Sequence, residues 1–280
     1  MAIAVRPSIH ETSPIYAMRR LGPEPYIANL TDVAARHGHV KMQRQNSPGT
    51  VGGRTMKMDG GLLFAFSNEP FDLTYGSDNG EKGEMQGITA AIIPAGITYK
   101  ITHNGSLHIA SSNLGMQSES PISKPVGYTM SYIKTHLNSA KANKLAIPLL
   151  MNGEVVTTGA ERVDGNEKHV VIGPKNQELS AANSMSPQDY HVHMRLTETY
   201  TTFSGMTLEY TIGKTKQRIE VGVGETIIVP AVVVHKVELH GIEPTFVTMS
   251  SRTGIREDKF IIPEMENPNL NGNLIIALRP

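Results

Sequence analysis

The 280-residue chain contains no cysteine. Disulfides, thiolate ligands and thiol nucleophiles are thereby excluded, and any metal must be held by histidine, carboxylate or water. Tryptophan is absent too and aromatic residues reach only 5%, but hydrophobic residues at 39% still supply enough material for a core. Net charge is lacking as well: 26 Lys and Arg balance 26 Asp and Glu. With no long basic run, neither nucleic acid nor an acidic membrane surface has an electrostatic claim on this protein. No apolar run has the length of a membrane span. The opening MAIAVRPSIHETSP lacks the long apolar region of a secretory signal. These absences predict a soluble cytoplasmic protein that acts on a small molecule, with a length that suits one large domain or two ordinary ones.

What the chain does have is histidine in a pattern. Residues 189–241 contain His191, His193 and Glu198, written H-V-H-x4-E, and His235 follows 42 positions after His193. Two histidines at i and i+2 on a strand share a face, because side chains alternate with period 2. Glu198 is an odd number of residues past His193, so a turn or bulge near 195–197 is needed to bring it to that face. His235 must arrive on another strand. An H-x-H pair by itself is most often two surface or internally satisfied histidines. Three imidazoles and a carboxylate meeting inside a barrel would instead make a mixed N/O site for a divalent first-row metal.

The spacing around these residues resembles the two motifs of the cupin superfamily, G-x5-H-x-H-x3-4-E-x6-G and G-x5-P-x-G-x2-H-x3-N. Gly205 closes the first, and Gly224, Pro230 and His235 match the second. The sequence departs from the pattern at Val232, where the motif has glycine, and at Leu239, where it has asparagine. Neither departure removes a ligand. The resemblance implies an all-β protein of two antiparallel jelly-roll barrels in tandem with a few short helices. It also implies His191, His193, Glu198 and His235 as the metal ligands.

Read in order, residues 1–25 carry Pro7, Pro14, Pro23 and Pro25 and suit an extended arm, wrapping its own barrel or reaching a partner in a homodimer. An N-terminal barrel is expected over 26–125. Within it, Asn29 or Thr31 as a cap and Gly38 as a stop predict a short helix. His37 and His39 read as surface residues. Strands are expected in GLLFAFS, FDLTYG, GITAAIIPAGITYKI and SLHIASS, separated by polar turns. Pro94-Ala95-Gly96 keeps the Pro-x-Gly of the second motif, but Tyr99 stands where its histidine belongs, and Ser47, Gly49 and Arg54 align with the other three ligands. This half therefore reads as a duplicate that has lost its metal. A connector over 126–165 has Met130, Ile133 and Leu137 at helical spacing, then an apolar strand broken by Pro148. The metal-binding barrel should fill 166–280, with the terminal NLIIAL as a late strand.

Four protein ligands leave about two positions of an octahedral ion open. Fe(II) suits such a site best, and Mn(II), Ni(II), Co(II) or Zn(II) also fit the donor set. Three neutral imidazoles and one carboxylate leave a divalent centre near +1, which favours an anionic or hydroxylated ligand. Dioxygenase chemistry is the first reading. The alternatives are an isomerase, decarboxylase or lyase, including a sugar-phosphate isomerase that uses Lys214, Lys216, Arg218 and Lys236 for phosphate, or a non-catalytic small-molecule-binding barrel. Among neighbouring side chains, Tyr190 and Met194 should point away from the metal. Tyr200, Phe203, Tyr210 and Arg218 are open to either a pocket or an ordinary core or surface role.

Overall fold

The computed structural model describes residues 24–28, 35–37, 40–55, 62–112, 124–140, 146–152, 171–173, 177–186, 188–212, 215–251 and 259–262. Among these residues the chain is mostly antiparallel strand, with one helix at Met130–Ala140. The strand Ile97–His103 shows the local cause: Ile97, Ile101 and His103 are buried while Thr98, Lys100 and Thr102 are exposed, so each alternate side chain enters the core.

The N-terminal half forms one eight-stranded sheet organised by the 16-residue strand Leu62–Ser77. Its first part pairs with Leu107–Ser112, its last part with Ile97–His103, and both parts with Lys82–Pro94. The register shifts between Phe66 and Phe71, and again before Leu73. Such irregularities bend a strand and increase its twist. GLLFAFS and FDLTYG, expected as separate strands, are thus one strand with a bulged stretch between them. Pro70 falls within that stretch, where the ladder has already been interrupted. GITAAIIPAGITYKI is divided instead, by the Ala95–Gly96 turn between Lys82–Pro94 and Ile97–His103.

The helix expected over 29–38 is overturned where the chain is described. Ala35–His37 is a strand, paired antiparallel with Val40–Met42. Asn29, Thr31 and Gly38, read as the cap and stop of that helix, lie outside the described residues. The connector helix does form. Thr129 caps it, its Oγ1 accepting from the Tyr132 amide at 3.2 Å, and Ile133 and Leu137 are buried beneath it. His39, residues 1–23 and the terminal NLIIAL lie outside the described residues.

In the C-terminal half a seven-stranded sheet faces a five-stranded one. The larger contains Ile147–Asn152, Gln177–Ala182, Leu196–Thr202, Thr226–Val229 and Thr245–Ser251. Tyr26–Ile27 adds to its edge by pairing with Ile227–Ile228 of the same chain. The smaller sheet runs in the order Thr215–Val221, Met206–Ile212, His235–Leu239, His191–His193, Lys259–Ile261. One apolar cluster joins the halves, with Val40, Met42, Phe64 and Phe66 packed among Leu149, Leu179, Phe203 and Phe246. Phe66 stacks on Phe246 with centroids 5.0 Å apart, and Phe203 meets the His108 ring edge-on at 5.6 Å.

Candidate metal centre

His191 and His193 occupy the short strand His191–His193, in direct antiparallel register with His235 at residue 191. Met194 and Arg195 then form a bend, and the chain continues as Leu196–Thr202 in the other sheet. This bend resolves the parity problem of Glu198. Its carboxylate belongs to the facing sheet and meets the imidazoles across the interior. Glu198 Oε2 lies 3.1 Å from His235 Nε2, 3.5 Å from His193 Nε2 and 3.8 Å from His191 Nε2. All four residues are buried. His191, Glu198 and His235 present ligand atoms all within 4.8 Å of one another. His193 joins them through Glu198, with its ring centroid 6.2 Å from that of His235.

Backbone carbonyls orient two of the rings. His191 Nδ1 lies 2.8 Å from the Asp189 carbonyl and His235 Nδ1 lies 3.0 Å from that of Val233. These contacts fix the ring orientations and turn each Nε2 toward Glu198. Among the described residues, His191 Nε2 and both ring nitrogens of His193 have no hydrogen-bond partner although they are buried. Polar atoms buried in this way normally find a partner. Convergent imidazole acceptors beside a carboxylate fit a divalent ion, which would be held by His191, His193, Glu198 and His235.

The electrostatics agree with the donor set. Burial lowers the His193 imidazole to about 3, with Glu198 pulling the other way and the neighbouring histidines and Lys259 adding to the depression. His191 is lowered too, first by burial and then by His235. Metal binding needs neutral imidazoles, and these environments supply them. Burial alone would raise Glu198, but the surrounding imidazoles hold it well below the usual carboxylate range. Tyr200 is fully buried, and burial and the Glu198 charge keep its phenol well above its ordinary value; it donates to Gln188 Oε1 at 3.3 Å.

Tyr190 and Met194 do lie on the opposite side of the histidine strand, with Val192, Val234 and Ile262. Tyr190 donates to Glu209 at 2.6 Å, and Lys216 sits over its ring at 4.6 Å. Arg218 is on the surface with Glu220, Tyr210 belongs to the barrel core, and Phe203 packs in the cluster between the halves. In the N-terminal half Tyr99 faces Gly53 across the ladder, and Arg54 pairs with Asp78 at the surface. The pattern has a further departure, Met185 at the glycine that opens the first motif. It sits in a turn where its amide and that of Ser186 bond to Asn183. Gln188 and Lys259 carried no sequence signal; their nearness to the site follows from loop geometry and strand register.

Two antiparallel sheets thus enclose three histidines and a glutamate, the arrangement that the resemblance read from the motifs implies. No family model matches the chain, and no curated protein matches it in sequence. Among solved structures, it is similar to the formate complex of Lactobacillus farciminis oxalate decarboxylase at 10% identity and a TM-score of 0.44, covering 88% of this chain and 91% of that one. It is also similar to a variant of Bacillus subtilis oxalate decarboxylase at 11% identity and a TM-score of 0.42, covering 87% and 80%. Likeness of this order concerns general outline.

Proposed function

We propose that the protein is a metal-dependent cupin enzyme acting on a small anionic molecule by decarboxylase, lyase or isomerase chemistry. The observation that supports it is the convergence of His191, His193 and His235 on Glu198, in a buried cluster whose ring nitrogens await a further partner. A divalent ion bound there supplies a Lewis acid that polarises a substrate oxygen. The chain's own part is to keep the His191 and His193 imidazoles neutral, keep Glu198 ionised and hold Tyr200 protonated beside it. The buried walls exclude water, and Tyr200 can hold a proton on its phenol oxygen.

Dioxygenase chemistry would use the same four residues. It also demands a redox-active ion and a second open position for oxygen, requirements that the polarisation of a bound anion does not make, so we place it second. The N-terminal half, with Tyr99 at the position of the missing histidine, is proposed as a metal-free counterpart that supports the active barrel. Metal analysis of the purified protein tests the centre, with one ion per chain expected. Turnover of a panel of small carboxylates and hydroxy acids in oxygen-free buffer then tests the reaction class. Strict dependence on oxygen would promote the dioxygenase. Absence of turnover across the panel with metal bound would favour a binding protein.

A further inference from the structure

Among the described residues, the strand Lys259–Ile261 is an edge of the smaller sheet and lies directly beside the histidine strand. His193 is paired with Lys259 and His191 with Ile261. Directly opposed residues of an antiparallel pair project from the same face, with Cβ atoms about 4.5–5.5 Å apart. The face is identified from both sides. His191 and His193 turn toward Glu198, whereas the next residue along the edge segment, Ile262, packs with Tyr190 and Val192 on the opposite side. Lys259 and Ile261 therefore share the metal-facing side of the sheet. The positive charge of Lys259 is felt at both His191 and His193.

Both side chains are accessible. Lys259 is exposed and, among the described residues, makes no ion pair. Ile261 is 49% exposed, although its neighbour Ile262 is only 1% exposed. An edge strand that sets a cation and an uncovered aliphatic side chain two residues apart, on the same side as a buried metal cluster, has the makings of a binding lip.

We propose that Lys259 and Ile261 form the recognition lip of the metal pocket and select a small carboxylate that carries an apolar portion. The Lys259 ammonium receives the carboxylate, Ile261 covers the hydrocarbon, and the ligand's position over His191 and His193 follows from the register. The inference rests on the metal-centre reading and narrows its substrate class.

The test uses Co(II)-loaded full-length protein with hexanoate, hexanamide and acetate as probes. Binding is followed by the visible absorption of Co(II) and by calorimetry. Wild type should take hexanoate in preference to hexanamide. Lys259→Ala should weaken hexanoate about tenfold, the scale of one charge-assisted hydrogen bond, and Lys259→Arg should retain it within about threefold. Ile261→Ser should weaken hexanoate about fivefold, reflecting lost apolar cover, and leave acetate unchanged. Equal hexanoate affinity in wild type and Lys259→Ala, both carrying Co(II), would overturn the lip; so would indifference of wild type between hexanoate and hexanamide. Failure of wild type to take up Co(II) is a different result, and it removes the metal-centre reading along with the inference built on it.

Discussion

Gly96 and Val232 hold the same left-handed backbone at matching places in the two halves, with φ of 78° and 63°. Each is the third residue of a Pro-Ala-x turn, Pro94-Ala95-Gly96 or Pro230-Ala231-Val232. Val232 is the only non-glycine residue with positive φ among the described residues. A β-branched side chain is strained there. The turn is held by its surroundings, since the Val232 amide donates to the His193 carbonyl at 2.6 Å and so ties the turn to the histidine strand.

Val232→Gly should therefore stabilise the protein by about 1 kcal/mol, the relief of strain exceeding the added flexibility of the unfolded chain. Urea unfolding measures the difference. Unchanged or lower stability would show that the valine side chain contributes packing that offsets its backbone strain.

Removing the imidazoles separates metal binding from folding. The double substitution His191→Ala and His193→Ala should reduce bound metal from one ion per chain to a trace, read by elemental analysis, while circular dichroism stays that of a β protein. The barrel's aliphatic core supplies its stability independently of the cluster. Full occupancy in the double variant would rule the site out.

His108 makes the fold sensitive to acid. It is fully buried between Phe66 and Phe203, and among the described residues neither ring nitrogen has a hydrogen-bond partner. Burial, with a smaller contribution from Arg44, lowers it to about 3. The folded state binds that proton less readily than the unfolded state, so stability falls as pH drops from about 6.5 toward 3, and this contribution vanishes above 6.5. His108→Leu should flatten that part of the pH–stability curve. At pH 7 it should gain about 1 kcal/mol, because two unpartnered polar atoms are removed. An unchanged acid slope in denaturant titrations at pH 5 and 7 would exclude this source.

Phe246→Ala should cost about 3–5 kcal/mol, the range for emptying a buried aromatic position. Calorimetry should show one transition that moves to lower temperature as a unit, since the Phe66 stack crosses between the halves. Two separated transitions in the variant would show that the halves unfold independently.

Much of this was legible from spacing. The apolar segment SLHIASS announced the strand Leu107–Ser112, and the helical spacing of Met130, Ile133 and Leu137 announced the connector helix. The parity of His193 and Glu198 required a change of direction between them, and the structure supplies one at Met194–Arg195. Other features are written in pairings between distant segments, which local pattern does not encode. The segment before Val40 has cap and stop signals suited to a helix, but the ladder to Val40–Met42 prevails at Ala35–His37. The long strand Leu62–Ser77 runs through what local chemistry marks as a turn because neighbours flank it along its length. Lys259 is an ordinary surface lysine until its register with His193 is known.

Through the aromatic contact between the halves, an ion held at the cluster would act on the whole chain. An ion that binds only the folded protein raises stability by mass action, in proportion to the logarithm of its concentration over its dissociation constant. Because Phe66 and His108 lean on Phe246 and Phe203, that gain extends to a half with no ligand cluster of its own among the described residues. Amide exchange in the N-terminal sheet would then report the occupancy of a site in the other half. Scarcity of the ion would be felt as lower durability of the entire molecule, well beyond the pocket it left.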